Sequence, residues 1–314
     1  MIQRQTLPRD VSSVARDPKA ILVNGQEFVV SGKALKTVSL KRDWHEDLKD
    51  PAEAVRGLQA LPGGYDVLKF WQRLPDTEPK YPYYKEFRDV AAIPLSTYQF
   101  WLEKQLTQRV RNKVRRSLKT EVVYREVPFS DDLVRGMMEI FNQSPLRRGK
   151  PMRHYGKSFE TVKAEMGADS EEAVFIAAHF QNELIGFIKF SVLDRYAMLT
   201  MILDKIDHRD KLTMNGLLSK TVEVCVARKM PYLTYTLWRR GGHAQFQETS
   251  GFVKVPVPEY FVPLTLKGKL ALGLRLHQGP KGWVSDKARQ RLIDLRAKWY
   301  AIRYAQKKVE KPES

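Results

Sequence analysis

The sequence is poor in cysteine and contains no long apolar run. Its 314 residues include a single cysteine, Cys225, which excludes an internal disulfide and a metal site built on several thiolates. No apolar stretch reaches the roughly 18 residues needed to cross a bilayer, and the N-terminal stretch lacks the apolar core of a signal peptide. The histidines show no metal-ligand spacing such as H-x-x-x-H. These absences predict a cytoplasmic protein without disulfides or a metal site.

The composition is that of a soluble globular protein with an unusual excess of positive charge. Hydrophobic residues make up 43% of the chain and charged residues 29%, and the formal net charge is +18. The last 50 residues, Thr265–Ser314, carry 13 Lys or Arg against 4 Asp or Glu, which is half of that excess. A basic protein of this kind favours phosphate-rich partners such as nucleic acid, anionic lipid or a nucleotide-linked substrate. The alternative is a basic surface that serves solubility alone.

The first half of the chain mixes short strands with amphipathic helices. Asn24-Gly25 predicts a hairpin turn, and Asp50-Pro51 predicts the start of a helix over residues 50–64. A longer helix is predicted over Thr97–Thr120, with one apolar side and a cluster of arginines on the remainder. We assign residues 1–168 to an N-terminal part on the acceptor side of a two-part protein.

The second half alternates strands and helices more regularly. Strands are predicted on both sides of Gln181-Asn182 and over Ala197–Leu203, followed by a helix over Leu217–Arg228 and a strand at Tyr232–Trp238. We assign residues 169–264 to a catalytic part and residues 265–314 to a basic helical tail. The tail helix, Ser285–Lys308, is predicted to pack a stripe containing Leu292, Leu295 and Trp299 against the rest of the protein. The alternative is that the helix lies on an anionic membrane with this stripe in the headgroup region.

The junction "HRDKLTMNGLLSK", residues His208–Lys220, lies between a predicted strand and a predicted helix. The first N–H groups of a helix have no partner within it, and together with the helix dipole they attract anions, phosphates in particular. Basic and turn-forming residues at this junction therefore indicate an anion-binding loop. An ordinary solvated loop remains the alternative.

The order of elements from Ala173 onward resembles the GNAT acyltransferase fold. "QNELIGFIKFSVL" is similar to the central hairpin of that family, "HRDKLTMNGLL" occupies the place of its pyrophosphate-binding loop, and "FQETSGF" occupies the place of its "fK..fGF" ending. The resemblance implies an α/β fold with a central mixed sheet flanked by helices, and a gap between the strands that end near Leu203 and Trp238. It also implies a coenzyme A site formed by Ile202, Leu203, His208, Arg209, Lys211, Thr213, Asn215 and Gly216.

A second resemblance covers Asp89–Met166. "IPLSTYQFWLEKQLTQRVRNKVRRSLK" is similar to a helix of Fem-type aminoacyltransferases, which pair two GNAT-like halves. It implies a partial GNAT-like copy in the N-terminal part. Two positions depart from these families. The loop lacks the pattern Q/R-x-x-G-x-G/A, and Gln247 stands where the Fem-type pattern has lysine.

Acyl transfer requires an acceptor freed of its proton, a stabilised oxyanion and a protonated leaving group. Tyr235 follows the donor helix and is a candidate acid, while His154 and Asp204 are candidate bases. Arg147 and Arg148 suit a carboxylate or phosphate on the acceptor, and Tyr155 lies beside them in the sequence. The alternatives are a core position for Tyr235, an ordinary solvated basic loop for His154 and Tyr155, and a surface role for Asp204.

The predicted function is an acyltransferase that moves an acyl group, with acetyl-CoA as the favoured donor, to an amine or hydroxyl of an anionic small molecule or glycan precursor. Acyl-CoA is then a co-substrate, and no cofactor is permanently bound. The alternatives are an aminoacyl-tRNA-dependent transferase of Fem type and a non-catalytic module that binds nucleic acid or an anionic surface. Peripheral contact with the inner membrane face accompanies the cytoplasmic prediction, and the sequence leaves the oligomeric state open.

Overall fold

A computed structural model describes residues 20–147, 149–168, 171–238, 242–278, 291 and 294–303. The chain divides into two compact units. The first unit contains the described residues within Met1–Ala92, Thr236–Ala244 and Val253–Gly282. The second contains those within Ile93–Tyr235, Gln245–Phe252 and Trp283–Ser314. The boundaries predicted at residues 168 and 264 divide the chain by expected function and not by compactness. They stay a prediction.

The first unit is built on antiparallel strands with one parallel pair. Its strands lie side by side in the order β1, β2, β3, β4, β13, β5, and β3 and β4 form the parallel pair. Their core contains Phe28, Val38, Leu68 and Tyr260. The strands are β1 (Ala20–Val23), β2 (Gln26–Ser31), β3 (Thr37–Leu40), β4 (Val67–Trp71), β5 (Tyr84–Pro94) and β13 (Val253–Pro263), and the helices are α1 (Pro51–Ala60) and α8 (Leu266–Gly273), followed by a 3-10 turn at Leu276–Gln278.

The second unit carries the strands in the order β12, β11, β10, β9, β6. The pair β11–β12 is parallel and the other pairs are antiparallel. The strands are β6 (Val123–Val127), β9 (Ala173–Phe180), β10 (Glu183–Val192), β11 (Ala197–Asp204) and β12 (Tyr232–Leu237), with a small ribbon of β7 (Leu146–Arg147) and β8 (Lys150–Pro151). The helices are α2 (Tyr98–Phe100), α3 (Gln108–Ser117), α4 (Asp131–Asn142), α5 (Phe159–Gly167), α6 (Thr213–Ala227) and α7 (Gly242–Thr249), the last beginning in the first unit.

Several local predictions are confirmed. Asn24 and Gly25 both have positive φ at the first hairpin turn, and so do Gln181 and Asn182 at the turn between β9 and β10. The Asp50 carboxylate accepts a hydrogen bond from the Glu53 N–H at the start of α1. Cys225 is buried within α6, where burial raises the pKa of its thiol to about 12. Turn and cap residues act locally, which makes them readable from sequence.

The single helix predicted over Thr97–Thr120 is wrong. A π-helical segment at Trp101–Gln105 follows α2, and the chain is extended at Leu106 and Thr107 before α3 begins. The Arg111 guanidinium donates to the carbonyl groups of Glu103 and Leu106, at 2.7 and 3.3 Å. Arg111 thus supplies donors that the interrupted helix no longer provides, and such a contact cannot be read from helical periodicity.

The predicted packing of the tail helix is wrong for its described residues. Residues 294–303 are helical, but Leu295, Trp299 and Ile302 are 63%, 52% and 60% exposed. The side that approaches the protein carries the small residue Ala297, whose Cβ lies 3.0 Å from the position of a Cβ built on Gly149. Leu292 lies outside the described residues. Among those residues, no helix combines the length and the apolar character needed to span a membrane.

Candidate functional site

The strands β11 and β12 run side by side for a very short distance. Their pairing covers Ala197 with Leu233 and Met198 with Thr234, whereas β11 continues to Asp204. Among the described residues, no strand pairs with Leu199–Asp204 on the β12 side. The strand therefore presents backbone N–H and C=O groups that an extended ligand can use as hydrogen-bond partners. The edge of β11 beyond Met198 is therefore open on the β12 side among the described residues, as the predicted gap between these strands requires.

The loop after β11 leads directly into the first turn of α6. A 3-10 turn covers Ile206–Lys211, and Leu212 then has φ 57° and ψ 35° at the start of the 15-residue helix. Such left-handed backbone costs a non-glycine residue about 1–2 kcal/mol. A right-handed residue followed by a left-handed one can turn successive N–H groups towards an anion, but the Leu212 N–H here donates to the Arg209 carbonyl at 3.1 Å. The N–H groups available to an anion are therefore those of the first turn of α6. The helix begins at Thr213 rather than at the predicted Leu217.

The position of Leu212 clarifies the departure from the GNAT loop pattern. It stands three residues after Arg209, the spacing at which Q/R-x-x-G-x-G/A has its first glycine. The chain therefore adopts at Leu212 the conformation that a glycine favours. Leucine is rarely found at positive φ, so this conformation could not be predicted from the residues of the loop.

Polar contacts from α4 and β10 hold the loop in place. The Gln143 amide accepts from the Ile206 N–H at 2.6 Å and donates to Asp207 Oδ2 at 3.0 Å. Lys205 is buried, and its ammonium group bonds Glu139 Oε2 at 2.6 Å and also Glu183. Burial lowers the pKa of Lys205, but the two carboxylates outweigh it and raise the pKa overall. None of these four anchoring residues was identified from sequence, because they are far apart along the chain.

The residues predicted to bind the acyl donor differ in their contacts and exposure. The Thr213 hydroxyl is buried and donates to the His208 carbonyl at 3.3 Å. His208 Nε2 lies 3.3 Å from a Glu183 oxygen, and Lys211 Nζ lies 4.1 Å from the ring centroid of Phe180. Arg209 is exposed, and Ile202, Leu203 and Asn215 are half-buried. The cations next to Leu212 therefore include one exposed guanidinium group and one ammonium group over a ring.

Gly216 has a packing role that the sequence did not reveal. A Cβ at this position would lie 2.2 Å from Tyr124 Cζ, because the Tyr124 ring lies directly against the first turns of α6. Burial raises the pKa of Tyr124 to about 12, so the phenol stays protonated. Gly216 thus lets β6 and α6 approach each other closely.

The predicted acceptor residues are mostly involved in internal contacts. The Arg147 guanidinium donates to the carbonyls of Asp204 and Ile140, at 2.9 and 3.0 Å. His154 is 5% exposed, its ring stacks on Phe141 and its Nδ1 lies 3.0 Å from Glu165 Oε2. Burial lowers the pKa of His154 to about 4, so the ring is neutral near pH 7.

Tyr155 is exposed, while Arg148 lies outside the described residues. The roles assigned to these acceptor-side residues stay predictions. Arg147 also fixes the end of β11, because its donor hydrogen bond reaches the carbonyl of Asp204, which is itself buried.

Tyr235 follows Thr234, the last residue of β12 that pairs with β11. Its ring packs edge-on against Phe246 and also contacts Phe252, with centroids 5.8 and 6.0 Å away. Its carbonyl accepts a hydrogen bond from Gln247 Nε2 at 3.2 Å, and Gln247 is fully buried. The position that is lysine in the Fem-type pattern therefore carries a neutral amide bonded to the strand.

The structure also places a row of cations on α3. Its buried side contains Val110, Val114 and Ser117, whereas Arg111 and Arg115 both bond the Glu103 carboxylate. The exposed side carries Arg109 and Arg116, and Lys119 follows just after the helix; no ion pair is described for any of the three.

No protein-family model matches this sequence, and no curated protein matches it by sequence. Solved structures match it in fold. The C-terminal domain of a protein assigned as a lysylphosphatidylglycerol synthetase from Agrobacterium fabrum has a TM-score of 0.55 at 11% identity, covering 82% of this chain and 87% of that one. FemX has a TM-score of 0.53 at 11% identity, with 81% and 88% covered. L-PGS from Bacillus licheniformis has a TM-score of 0.55 at 13% identity, with 78% and 84% covered.

These likenesses establish the fold. It is the GNAT-like α/β fold in its Fem-like form, with a mixed sheet flanked by helices, as the sequence predicts.

Proposed function

We propose that this protein is an acyltransferase that takes an acyl group from a coenzyme A thioester and transfers it to an amine or hydroxyl of an anionic acceptor. The observation that carries the proposal is the left-handed Leu212 at the start of α6, next to the unpaired end of β11. Such a helix start is suited to a diphosphate, and the free strand edge is suited to the amide groups of the pantetheine arm.

In the proposed reaction the acceptor nitrogen or oxygen attacks the thioester carbonyl carbon, and the C–S bond breaks as the thiol leaves. A backbone N–H of β11 stabilises the oxyanion. Tyr235 is the proposed donor of the proton to the departing sulfur, and Asp204 or His154 is the proposed base. Arg209 and Lys211 bind the donor phosphates, and Tyr155 with Arg147 and Arg148 bind the acceptor.

Calorimetric titration with acetyl-CoA at two salt concentrations tests the donor. We expect micromolar binding that largely survives added salt. Replacing both Arg209 and Lys211 by alanine should weaken it by roughly tenfold or more, since hydrogen bonds to charged groups are each worth about 1.5–3 kcal/mol. The matched control is Lys220→Ala, which removes a cation from the side of α6, paired there with Glu223, and should leave affinity unchanged. Absence of acetyl-CoA binding would contradict the proposal.

A second candidate is aminoacyl transfer from charged tRNA. The exposed cations Arg109, Arg116 and Lys119 favour it, because phosphate contacts dominate nucleic-acid affinity. The neutral, fully buried Gln247 speaks against it. Strongly salt-dependent tRNA binding that is lost in an Arg109→Ala/Arg116→Ala variant, without acetyl-CoA binding, would favour a tRNA-dependent protein. Release of the amino acid from charged tRNA to an acceptor would then separate the transferase from a non-catalytic binding module.

A further inference from the structure

Helix α8 in the first unit is turned with its large apolar residues outward. Leu266, Leu270 and Leu274 are 82%, 68% and 68% exposed. The residues of this helix that face the protein are small, namely Gly268 and Ala271, and both are buried. A surface helix of a soluble protein ordinarily shows the reverse arrangement.

This orientation is fixed by specific contacts with Asp66. Thr265 Oγ1 accepts from the Gly268 N–H and donates to Asp66 Oδ1, each at 3.0 Å. A Cβ built on Gly268 would lie 1.9 Å from the Asp66 carbonyl oxygen, so only glycine allows this approach. Lys267 Nζ lies 3.0 Å from Asp66 Oδ2. Rotation of the helix to bury its leucines would break all of these contacts.

Positive charges flank the leucine stripe on both sides. At about 100° per residue, Lys267 and Lys269 lie on opposite flanks of Leu266 and Leu270, and Arg275 follows the helix. The sequence from Leu264 to Gln278 contains no Asp or Glu. Lys267 is paired with Asp66, and His277 Nε2 lies 2.9 Å from Glu86 Oε1, so the flanking cations for which no ion pair is described are Lys269 and Arg275. Tyr84, which is also exposed, places its ring 5.9 Å from that of His277, just beyond the helix.

We propose that α8 is a membrane-contact surface that inserts Leu266, Leu270 and Leu274 into the headgroup region of an anionic bilayer. An outward apolar stripe flanked by cations, with a nearby tyrosine, suits an interface that is apolar on one side and negatively charged at its surface. A second copy of this chain fits less well, because a symmetric contact would bring Lys267, Lys269 and Arg275 against the same cations of the partner. This surface belongs to the first unit, whereas the loop between β11 and α6 and the tail helix belong to the second.

Flotation of the full chain with lipid vesicles tests this proposal. We expect binding to vesicles of equal parts phosphatidylcholine and phosphatidylglycerol, weakened by salt, and none to phosphatidylcholine alone. Replacing Leu266, Leu270 and Leu274 by glutamine should reduce binding by roughly tenfold or more, with an unchanged melting temperature because these side chains are exposed. The single change Lys269→Glu should also weaken binding, and it provides a milder variant should the triple variant fail to fold.

The matched control is Leu22→Gln on β1, where the leucine is 69% exposed, and it should leave vesicle binding unchanged. The competing surface is the exposed stripe of the tail helix, which the triple change Leu295→Gln/Trp299→Gln/Ile302→Gln tests. The proposal is overturned if the tail-helix variant loses binding while the α8 variant keeps it, or if the wild type does not float with anionic vesicles. It is equally overturned if sedimentation velocity shows a dimer that the α8 substitutions dissociate while vesicle binding is absent.

Discussion

Helices α6 and α8 both carry pairs of leucines, but they use them in opposite ways. In α6 the side chains of Leu217 and Leu218 are buried, whereas in α8 those of Leu266 and Leu270 face outward. The first helix packs against β9, β10 and β11 of its own unit, and its start forms the candidate donor site. The second is held against its unit through glycine and alanine. Whether a helical leucine belongs to the core or to a contact surface therefore depends on which way its side of the helix faces.

The largest expected effect is a difference in the free energy of unfolding between a leucine variant of α6 and a leucine variant of α8. Leu217→Ala should lower the free energy of unfolding by about 2–5 kcal/mol, because it leaves a cavity in a packed core. Leu270→Ala should change it by less than about 0.5 kcal/mol, because the side chain is already in solvent. Urea unfolding followed by circular dichroism measures both values, and similar losses in the two variants would abolish the contrast.

His154 and Tyr155 are neighbours in one loop, but the side chain of His154 is buried and that of Tyr155 is exposed. The folded protein keeps His154 neutral down to about pH 4, whereas an unfolded histidine takes up a proton near pH 6.5. Between these values the unfolded state binds more protons, so stability falls as the pH is lowered. At about 1.4 kcal/mol per pKa unit, the loss should be on the order of 3 kcal/mol.

His154→Phe should remove that pH dependence between about pH 6.5 and 4, while the stacking position on Phe141 stays filled. The exposed Tyr155 provides the control, and Tyr155→Phe should keep the wild-type slope. Unfolding curves measured across this pH range decide the matter. An identical slope in wild type and His154→Phe would show that His154 is not a buried neutral group.

The smallest effect compares two glycines. Gly216→Ala in α6 should cost about 1–3 kcal/mol, because the new methyl group meets the Tyr124 ring. Gly273→Ala at the end of α8 has no atom within 4 Å of the new Cβ and should gain up to about 1 kcal/mol from helix propensity. Thermal or urea unfolding measures whether each variant is less or more stable than the wild type. Stabilisation by Gly216→Ala would mean that Tyr124 moves aside freely.

Sequence alone determined the features that depend on neighbouring residues. The Asn24-Gly25 and Gln181-Asn182 turns, the Asp50 cap and the order of strands and helices from Ala173 all follow from short-range rules. That order was sufficient to predict the GNAT-like fold and to place the candidate donor loop between β11 and α6, because strand, loop and helix are consecutive in the chain.

The tertiary structure decided what depends on distant residues. It broke the helix predicted at Thr97–Thr120, where Arg111 satisfies carbonyls within the break. In the folded chain Leu212, and not a glycine, adopts the left-handed backbone conformation, and Gln143 and Lys205 hold the loop that contains it. It also turned the leucines of α8 outward, because the approach of Gly268 to Asp66 fixes the rotation of that helix. Periodicity shows that a helix has an apolar side, but contacts with residues far along the chain decide where that side points.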